Sequence, residues 1–433
     1  MVNTAGYYRL LKFGSALIIS ALIFAPFGSV SAAGQLTEAQ SVYEERGGAF
    51  SSHVYPNLLA ELGIPQSAIQ ARIEQVWHSL FYGDPQTERV YFPVGEDMAY
   101  ILDVYQDFVH SEGISYGMMI AVQLDKQEEF NRLWKWARTY MYHTDPRYYG
   151  FLSWKHATDG TRLSYDAAPD AETWIVTALF FAAARWGNGE GIFNYQAEAN
   201  TLLREMLHKH ETSQIFTSMF DMKTNLVVFS PRRGRMSRFT NPSYHAPHFY
   251  ELWARWTDRA QDRERLLQIA EASRAFWRRA AHPQTGLMPN YANFDGTPKV
   301  WGDYGEIFSA DAWRCAMQVA LDYTWFAADD WQIEQSNRLL RFFHKQGTRY
   351  YPSVYTIEGR SLEPRYNSVA LVAMNATAAL AATDPIRWDF VRAFWEAPLT
   401  RGRYRYYDNM LYMFALLQLS GNFRIYSPSV PAR

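Results

Sequence analysis

The chain has 433 residues, of which 48% are hydrophobic and 20% charged, so a large apolar core is readily supplied. A formal net charge of -2 provides no basic face, and no nucleic-acid partner is expected. Aromatic content is the outlier: 15 Trp, 29 Tyr and 27 Phe exceed what a core requires, and such rings also stack on the C–H faces of sugars.

At the N-terminus, Arg9 and Lys12 precede the apolar run ALIISALIFAPF, and VSAAG at 30–34 offers small residues to a signal peptidase. Residues 1–33 are therefore expected to be a signal peptide, with the mature chain starting near Ala33 or Gly34. An uncleaved anchor is the alternative. The run is short for a membrane span, so an exported protein, periplasmic or secreted, without stable membrane association is expected. The single Cys315 can form no internal disulfide; it lies in an apolar helical stretch and reads as a buried small hydrophobe.

No Pro/Gly/Ser-rich linker or tandem repeat divides residues 34–433, which read as one domain. The pattern is overwhelmingly helical. AIQARIEQVWHSLFYG comes first, then SEGISYGMMIAVQ and EEFNRLWKWARTYMYH, the last repeating Phe130, Leu133, Trp134, Ala137 and Met141 at helical spacing. ETWIVTALFFAAARW, EANTLLREMLHKHE, HFYELWARWTD, RERLLQIAEASRAFWRRAA, AWRCAMQVALDYTWFAA, WQIEQSNRLLRFFHKQ, NSVALVAMNATAALAA and MLYMFALLQLSG complete about a dozen helices. Segments 173–186 and 369–382 are apolar nearly all round, which suits an inner ring wrapped by amphipathic helices. His208 and His210 in LHKHE fall on different helix faces and read as solvated. His245 and His248 flank Pro247 and are weak metal candidates, since no acid/His cluster has ligand spacing; no metal or cofactor is expected.

Three acids share one setting. Glu112, Asp170 and Asp311 each stand where a loop hands over to an apolar helix. Asp and Glu are favoured in first helical turns by free N–H groups and the helix dipole, and Asp170 reads equally as a simple N-cap. Three together are better explained by a shared cleft. Glycosidic cleavage needs one carboxyl protonated and another ionised. A helix N-terminus favours the anion, so Glu112 can be the acid only if burial or a neighbouring carboxylate such as Asp170 raises its proton affinity. Arg314, one turn after Asp311, is placed to pair with that carboxylate, or else forms a surface ion pair.

The segments SEGISYGMMIAVQLDKQEEF, GFLSWK, APDAETWIVTALFFAAARWG, NPSYHAPHFYELWA, YANFDGTPKVWGDYGEIFSADAWRCAMQVALDY and VALVAMNATAALA resemble glycoside hydrolase family 8, within it the reducing-end xylose-releasing exo-oligoxylanases. The resemblance runs over most of residues 75–420. It implies an all-α (α/α)6 barrel of six inner and six outer helices and an inverting mechanism acting on β-1,4-xylo-oligosaccharides. Glu112 takes the general-acid role, Asp311 the general-base role, and Asp170 that of a third carboxylate holding the sugar beside the scissile bond. Tyr244 matches a tyrosine that holds the attacking water, and Trp154 a sugar-stacking tryptophan. The segment 347–367 is the expected wall closing the cleft beyond the cut; with a low wall the enzyme would be an endo-acting xylanase or glucanase. A monomer is expected. A non-catalytic oligosaccharide-binding protein and a polysaccharide lyase are the readings from other classes.

Overall fold

A computed structural model describes residues 47–363 and 368–428; the expected signal segment lies outside the described residues. Among the described residues, twelve helices of ten or more residues alternate between two rings. The inner helices are α2 (Ser111–Gln123), α4 (Pro169–Trp186), α6 (Pro247–Trp256), α8 (Ala310–Phe326), α10 (Val369–Ala378) and α12 (Arg405–Leu419). The outer ones are α1 (Gln66–Tyr82), α3 (Gln127–Trp136), α5 (Tyr195–Thr212), α7 (Arg263–Ala280), α9 (Trp331–Gln346) and α11 (Arg387–Glu396). Each inner helix packs on the next, and α12 returns to α2, so the ring closes. This is the expected (α/α)6 barrel.

Residue chemistry separates the rings. Every residue of α12 is buried, and in α2 only Glu112 is not. The outer helix α7 instead buries Leu266, Ile269, Ala270, Ser273, Phe276, Trp277 and Ala280, a single stripe at helical spacing. Most of the largest aromatics are core after all: Trp134, Trp136, Trp174, Trp253, Trp277 and Trp325 are fully buried. Cys315 is buried, as expected.

Several expectations need correction. His208 and His210 are not simply solvated: His208 Nε2 lies 2.9 Å from Asp262 Oδ1, and His210 Nδ1 2.6 Å from Ser218 Oγ. The structure adds helix α11, which the sequence pattern does not predict, and a four-stranded antiparallel sheet, β1 (Tyr91–Val94), β2 (Met98–Asp103), β3 (Phe108–His110) and β4 (Lys155–His156) in that order. Its strand β2 alternates half-buried and buried positions with a period of two, turning Ala99, Ile101 and Asp103 inward. The sheet lies against α2, where Gly113 and Gly117 make room: a Cβ on either would come within 3.1 Å or 2.9 Å of Ile101.

Candidate active site

A cleft of about 1030 Å³, measured to its open mouth, lies at the N-terminal ends of α2, α4 and α8. Glu112, Asp170 and Asp311 all line it, together with Trp154, Tyr244 and Arg314. All six expected site residues therefore share one depression. Asp170 is not an N-cap: Pro169 opens α4, Ala168 caps it, and Asp170 sits inside the first turn with its side chain in the cleft.

Arg314 is the centre of the arrangement. Its side chain is only 3% exposed, so it is no surface ion pair. Nη1 donates to Glu112 Oε2 at 2.6 Å, to Tyr116 Oη at 2.8 Å and to Asp170 Oδ2 at 3.3 Å, while Nη2 donates to Asp311 Oδ1 at 3.4 Å. The terminal nitrogens of one rigid guanidinium are about 2.3 Å apart, so Glu112 Oε2 and Asp311 Oδ1 lie within roughly 8 Å of each other. Two acids 199 positions apart in sequence thus face one trench, bridged by a single arginine.

One cation against three carboxylates cannot compensate them all in a poorly solvated site. Burial pushes Glu112 up to about 7; Arg314 opposes this, Asp170 and Asp311 reinforce it, and the hydroxyl of Tyr406, donating to Oε1 at 3.0 Å, lowers it slightly. Asp170 is also held above the usual carboxylate range by burial, against the pull of Arg314, and its Oδ1 has no hydrogen-bond partner. Asp311 is fixed differently: Oδ2 accepts from Asn241 Nδ2 at 3.1 Å. The amide of Asn241 is oriented in turn, because its Oδ1 accepts from the backbone N–H and the hydroxyl of Ser243 at 2.9 Å and 2.8 Å.

The walls are aromatic. Trp154 is held by a hydrogen bond from Nε1 to Ser164 Oγ at 2.8 Å, and its carbonyl accepts the N–H of Ser111 at 3.0 Å, tying it to the head of α2. Tyr244 lies under the Arg314 guanidinium, 5.8 Å from its ring centroid, and stacks on Phe229. Tyr291, Tyr304, Tyr406 and Tyr407 complete the lining.

Sequence reasoning missed Asn241, Tyr406 and His110. Asn241 opens the NPSYH motif, three residues before Tyr244. His110, whose ring lies 5.5 Å from that of Trp154, is pushed down to about 3 by burial and the Lys155 ammonium and so stays neutral. His245 is accounted for by Thr240 Oγ1 at 3.0 Å and Ser273 Oγ at 2.9 Å, and His248 is buried against Phe249 and Trp325. The expected wall is described as far as Glu363. Its residues line a neighbouring groove with Asp303, Glu306 and Ile307, which meets the cleft at Tyr304, rather than the cleft itself. Residues 364–367 lie outside the described residues.

Comparison with known proteins agrees with this geometry. The family model described as Glycosyl hydrolases family 8 matches residues 104–421. The chain is 48% identical over 383 residues to the reducing-end xylose-releasing exo-oligoxylanase Rex8A of Paenibacillus barcinonensis, covering 88% of this chain and 98% of that one. It is 36% identical over 376 residues to a reducing end xylose-releasing exo-oligoxylanase of Bifidobacterium adolescentis, covering 85% and 96%. Endoglucanase C of Ruminiclostridium cellulolyticum is more distant, at 28% over 316 residues, 72% of this chain and 64% of that one. The structure of Rex8A complexed with xylose superposes with a TM-score of 0.84 over 88% of this chain and 100% of that chain. The chain belongs to glycosyl hydrolase family 8 and is a glycosidase.

Proposed function

We propose that the protein releases xylose from the reducing end of β-1,4-xylo-oligosaccharides by single displacement with inversion. The observation that carries this reading is the set of three carboxylates on one buried arginine, in a chain that matches exo-oligoxylanases over nearly their whole length.

In this mechanism Glu112 is the general acid. Its proton affinity, raised by burial and by two neighbouring anions, keeps a substantial protonated fraction near neutral pH, and that proton goes to the departing glycosidic oxygen. Asp311, its two oxygens held by Arg314 and Asn241, takes a proton from a water on the opposite face of the anomeric carbon. Inverting pairs stand about 6.5–9.5 Å apart to admit that water, and the Arg314 bridge allows such a span. Tyr244 is assigned to the water and Trp154 to stacking on a sugar ring. Asp170, which lines the cleft beside Glu112, holds a sugar hydroxyl next to the scissile bond. Export through the segment 1–33 is part of the same proposal, since polymeric xylan and its fragments are met outside the cell.

Incubation with xylotriose through xylohexaose, and separately with polymeric xylan, tests the substrate assignment. Xylose and the chain shortened by one unit are expected from each oligomer; a ladder of products from xylan would make the enzyme endo-acting. Roles are tested with glycosyl fluorides, whose leaving group hardly needs a proton. Glu112→Gln is expected to lose oligoxyloside hydrolysis by ~10²–10⁴-fold yet keep fluoride turnover, whereas Asp311→Asn loses both.

A further inference from the structure

The head of α8, which carries Asp311, is capped from outside the helix. Its N-cap residue is Ser309, in extended conformation. A serine there ordinarily accepts a first-turn N–H, yet its hydroxyl makes no such bond. The cap comes from 22 residues upstream, where Asn290 Oδ1 accepts the N–H of Ala312 at 3.0 Å. Nδ2 of the same amide donates to Ser309 Oγ, and to the Tyr304 carbonyl at 3.0 Å. Asn290 lines the cleft and is 3% exposed. Its backbone is pinned as well: its N–H donates to the Ile307 carbonyl at 2.8 Å, and that of Tyr291 to the Gly305 carbonyl at 2.7 Å. One buried amide thus has its acceptor and its donors engaged, on both sides of Asp311 in the chain.

An acid in the first turn of a helix is attracted to the unpaired N–H groups there. For Asp311 such a bond would turn the carboxylate back onto its own helix and away from the water it deprotonates. The N–H of Ala312 is the next one along the chain, and Asn290 occupies it. The carboxylate is left to Arg314 and Asn241, both reaching it from side chains of the site. We propose that Asn290 is a positioning residue for the general base: by capping α8 from outside, it keeps Asp311 off the helix's own N–H groups and turned to the cleft. The inference rests on the base role of Asp311 given above. It requires no contact between Asn290 and the sugar, which separates it from a substrate-binding role for the same side chain.

Azide separates a misplaced base from a loosened fold, because an anionic nucleophile has no proton to lose. Asn290→Ala should lower kcat for xylotetraose by ~10²-fold, the size of lost general-base help, with KM within about twofold of wild type. Adding sodium azide should then restore turnover and yield α-xylotriosyl azide. In that step nitrogen bonds to the anomeric carbon from the face that water would use, the bond to the departing xylose breaks, and Glu112 protonates the xylose oxygen. Wild type should give xylotriose and xylose with no azide product. Asn290→Asp keeps an acceptor for the Ala312 N–H and loses both donors, so it should turn over at least about tenfold faster than Asn290→Ala and form no azide product. A rise in KM with kcat kept would make Asn290 a sugar-binding group, and a loss that azide does not repair would make it a structural one; either overturns the proposal. An azide product from Asn290→Asp overturns it too, and that variant decides the matter if Asn290→Ala does not fold. Asp311→Ala is the control for the reaction itself. If azide rescues Asp311→Ala but not Asn290→Ala, only the positioning role fails; if it rescues neither, the base role of Asp311 fails and the proposal goes with it.

Discussion

Arg314 touches Glu112, Asp170, Asp311 and Tyr116 at once, so any change in one carboxylate is felt by the others. The pH dependence of catalysis follows. Glu112 works in its protonated form, and burial sets its titration near 7, so kcat/KM should fall as pH rises through that value. Asp170 is one of the anions pushing Glu112 up. Asp170→Asn removes that anion, so Glu112 releases its proton more easily and the basic limb of the profile moves to lower pH. The rate should also fall, by ~10²-fold for a lost hold on the sugar, but the limb position is the diagnostic. A basic limb that stays in place would show that some other group sets it. Glu172 is a quieter neighbour. It is fully buried, burial holds it well above the usual carboxylate range, and Oε1 accepts the N–H of Leu152 at 3.0 Å. Two residues later stands Trp154, so Glu172 is a positioning residue for the stacking ring. Glu172→Gln, which keeps the acceptor and mimics the neutral acid, should behave as wild type. Glu172→Ala leaves a buried N–H unpaired, at about 1–3 kcal/mol, and should raise KM for xylotetraose several-fold with kcat nearly unchanged. A fall in kcat alone would place Glu172 in the chemistry instead.

Among the elements, α2 shows how sequence pattern becomes site geometry. Gly113 and Gly117 lie on the face turned to β2, yet their consequences differ. A Cβ at 113 would stand 3.0 Å from the Tyr406 hydroxyl, which is the group that bonds Glu112. A Cβ at 117 would press on Leu133 and Ile101, at 2.8 Å and 2.9 Å, which only pack. Both Gly→Ala changes should therefore cost stability, by about 1–3 kcal/mol for overpacking. Only Gly113→Ala should also lower kcat, and equal kcat losses in both would dissolve the distinction. The helices themselves were legible because an apolar stripe repeated over ten or more residues outweighs local ambiguity. In α11 the apolar residues Trp388, Phe390, Val391, Phe394 and Trp395 come directly after the turn residues Thr383, Asp384 and Pro385, so the segment reads as the continuation of a loop. The sheet was illegible for another reason: strands of two to six residues carry little periodicity, and their inward Asp103 breaks the apolar alternation. The acids were legible because each opens an apolar helix. Arg314 was seen only as the neighbour of Asp311, since its bonds to Glu112 and Asp170 span 202 and 144 residues and only the closed ring brings them together.

At the scale of the whole molecule, ring closure depends on joining the last inner helix to the chain that follows the first outer one. Arg405, at the head of α12, makes the largest set of hydrogen bonds across this seam. It is buried, and its guanidinium donates to the carbonyls of Pro85, Gln86, Arg89 and Gly402 at 2.8–3.0 Å. Three of those carbonyls lie between α1 and β1, and the N–H of Gly402 adds a bond to the Thr87 carbonyl at 2.9 Å. Among the described residues no carboxylate forms an ion pair with Arg405; carbonyl dipoles in a fixed fork geometry hold the charge. Arg405→Met keeps the apolar stem and removes every donor, leaving those carbonyls short of partners. Thermal unfolding should then report a loss of about 3–5 kcal/mol, as for a broken buried polar network. Arg405→Lys should recover only part of it, because one ammonium cannot span the same set of oxygens. The next residue is Tyr406, so a loosened seam also frees the hydroxyl that holds Glu112 Oε1, and kcat should drop with the unfolding midpoint. A variant that unfolds at the wild-type temperature would mean that helix packing alone closes the ring, with the arginine seam an accessory to it.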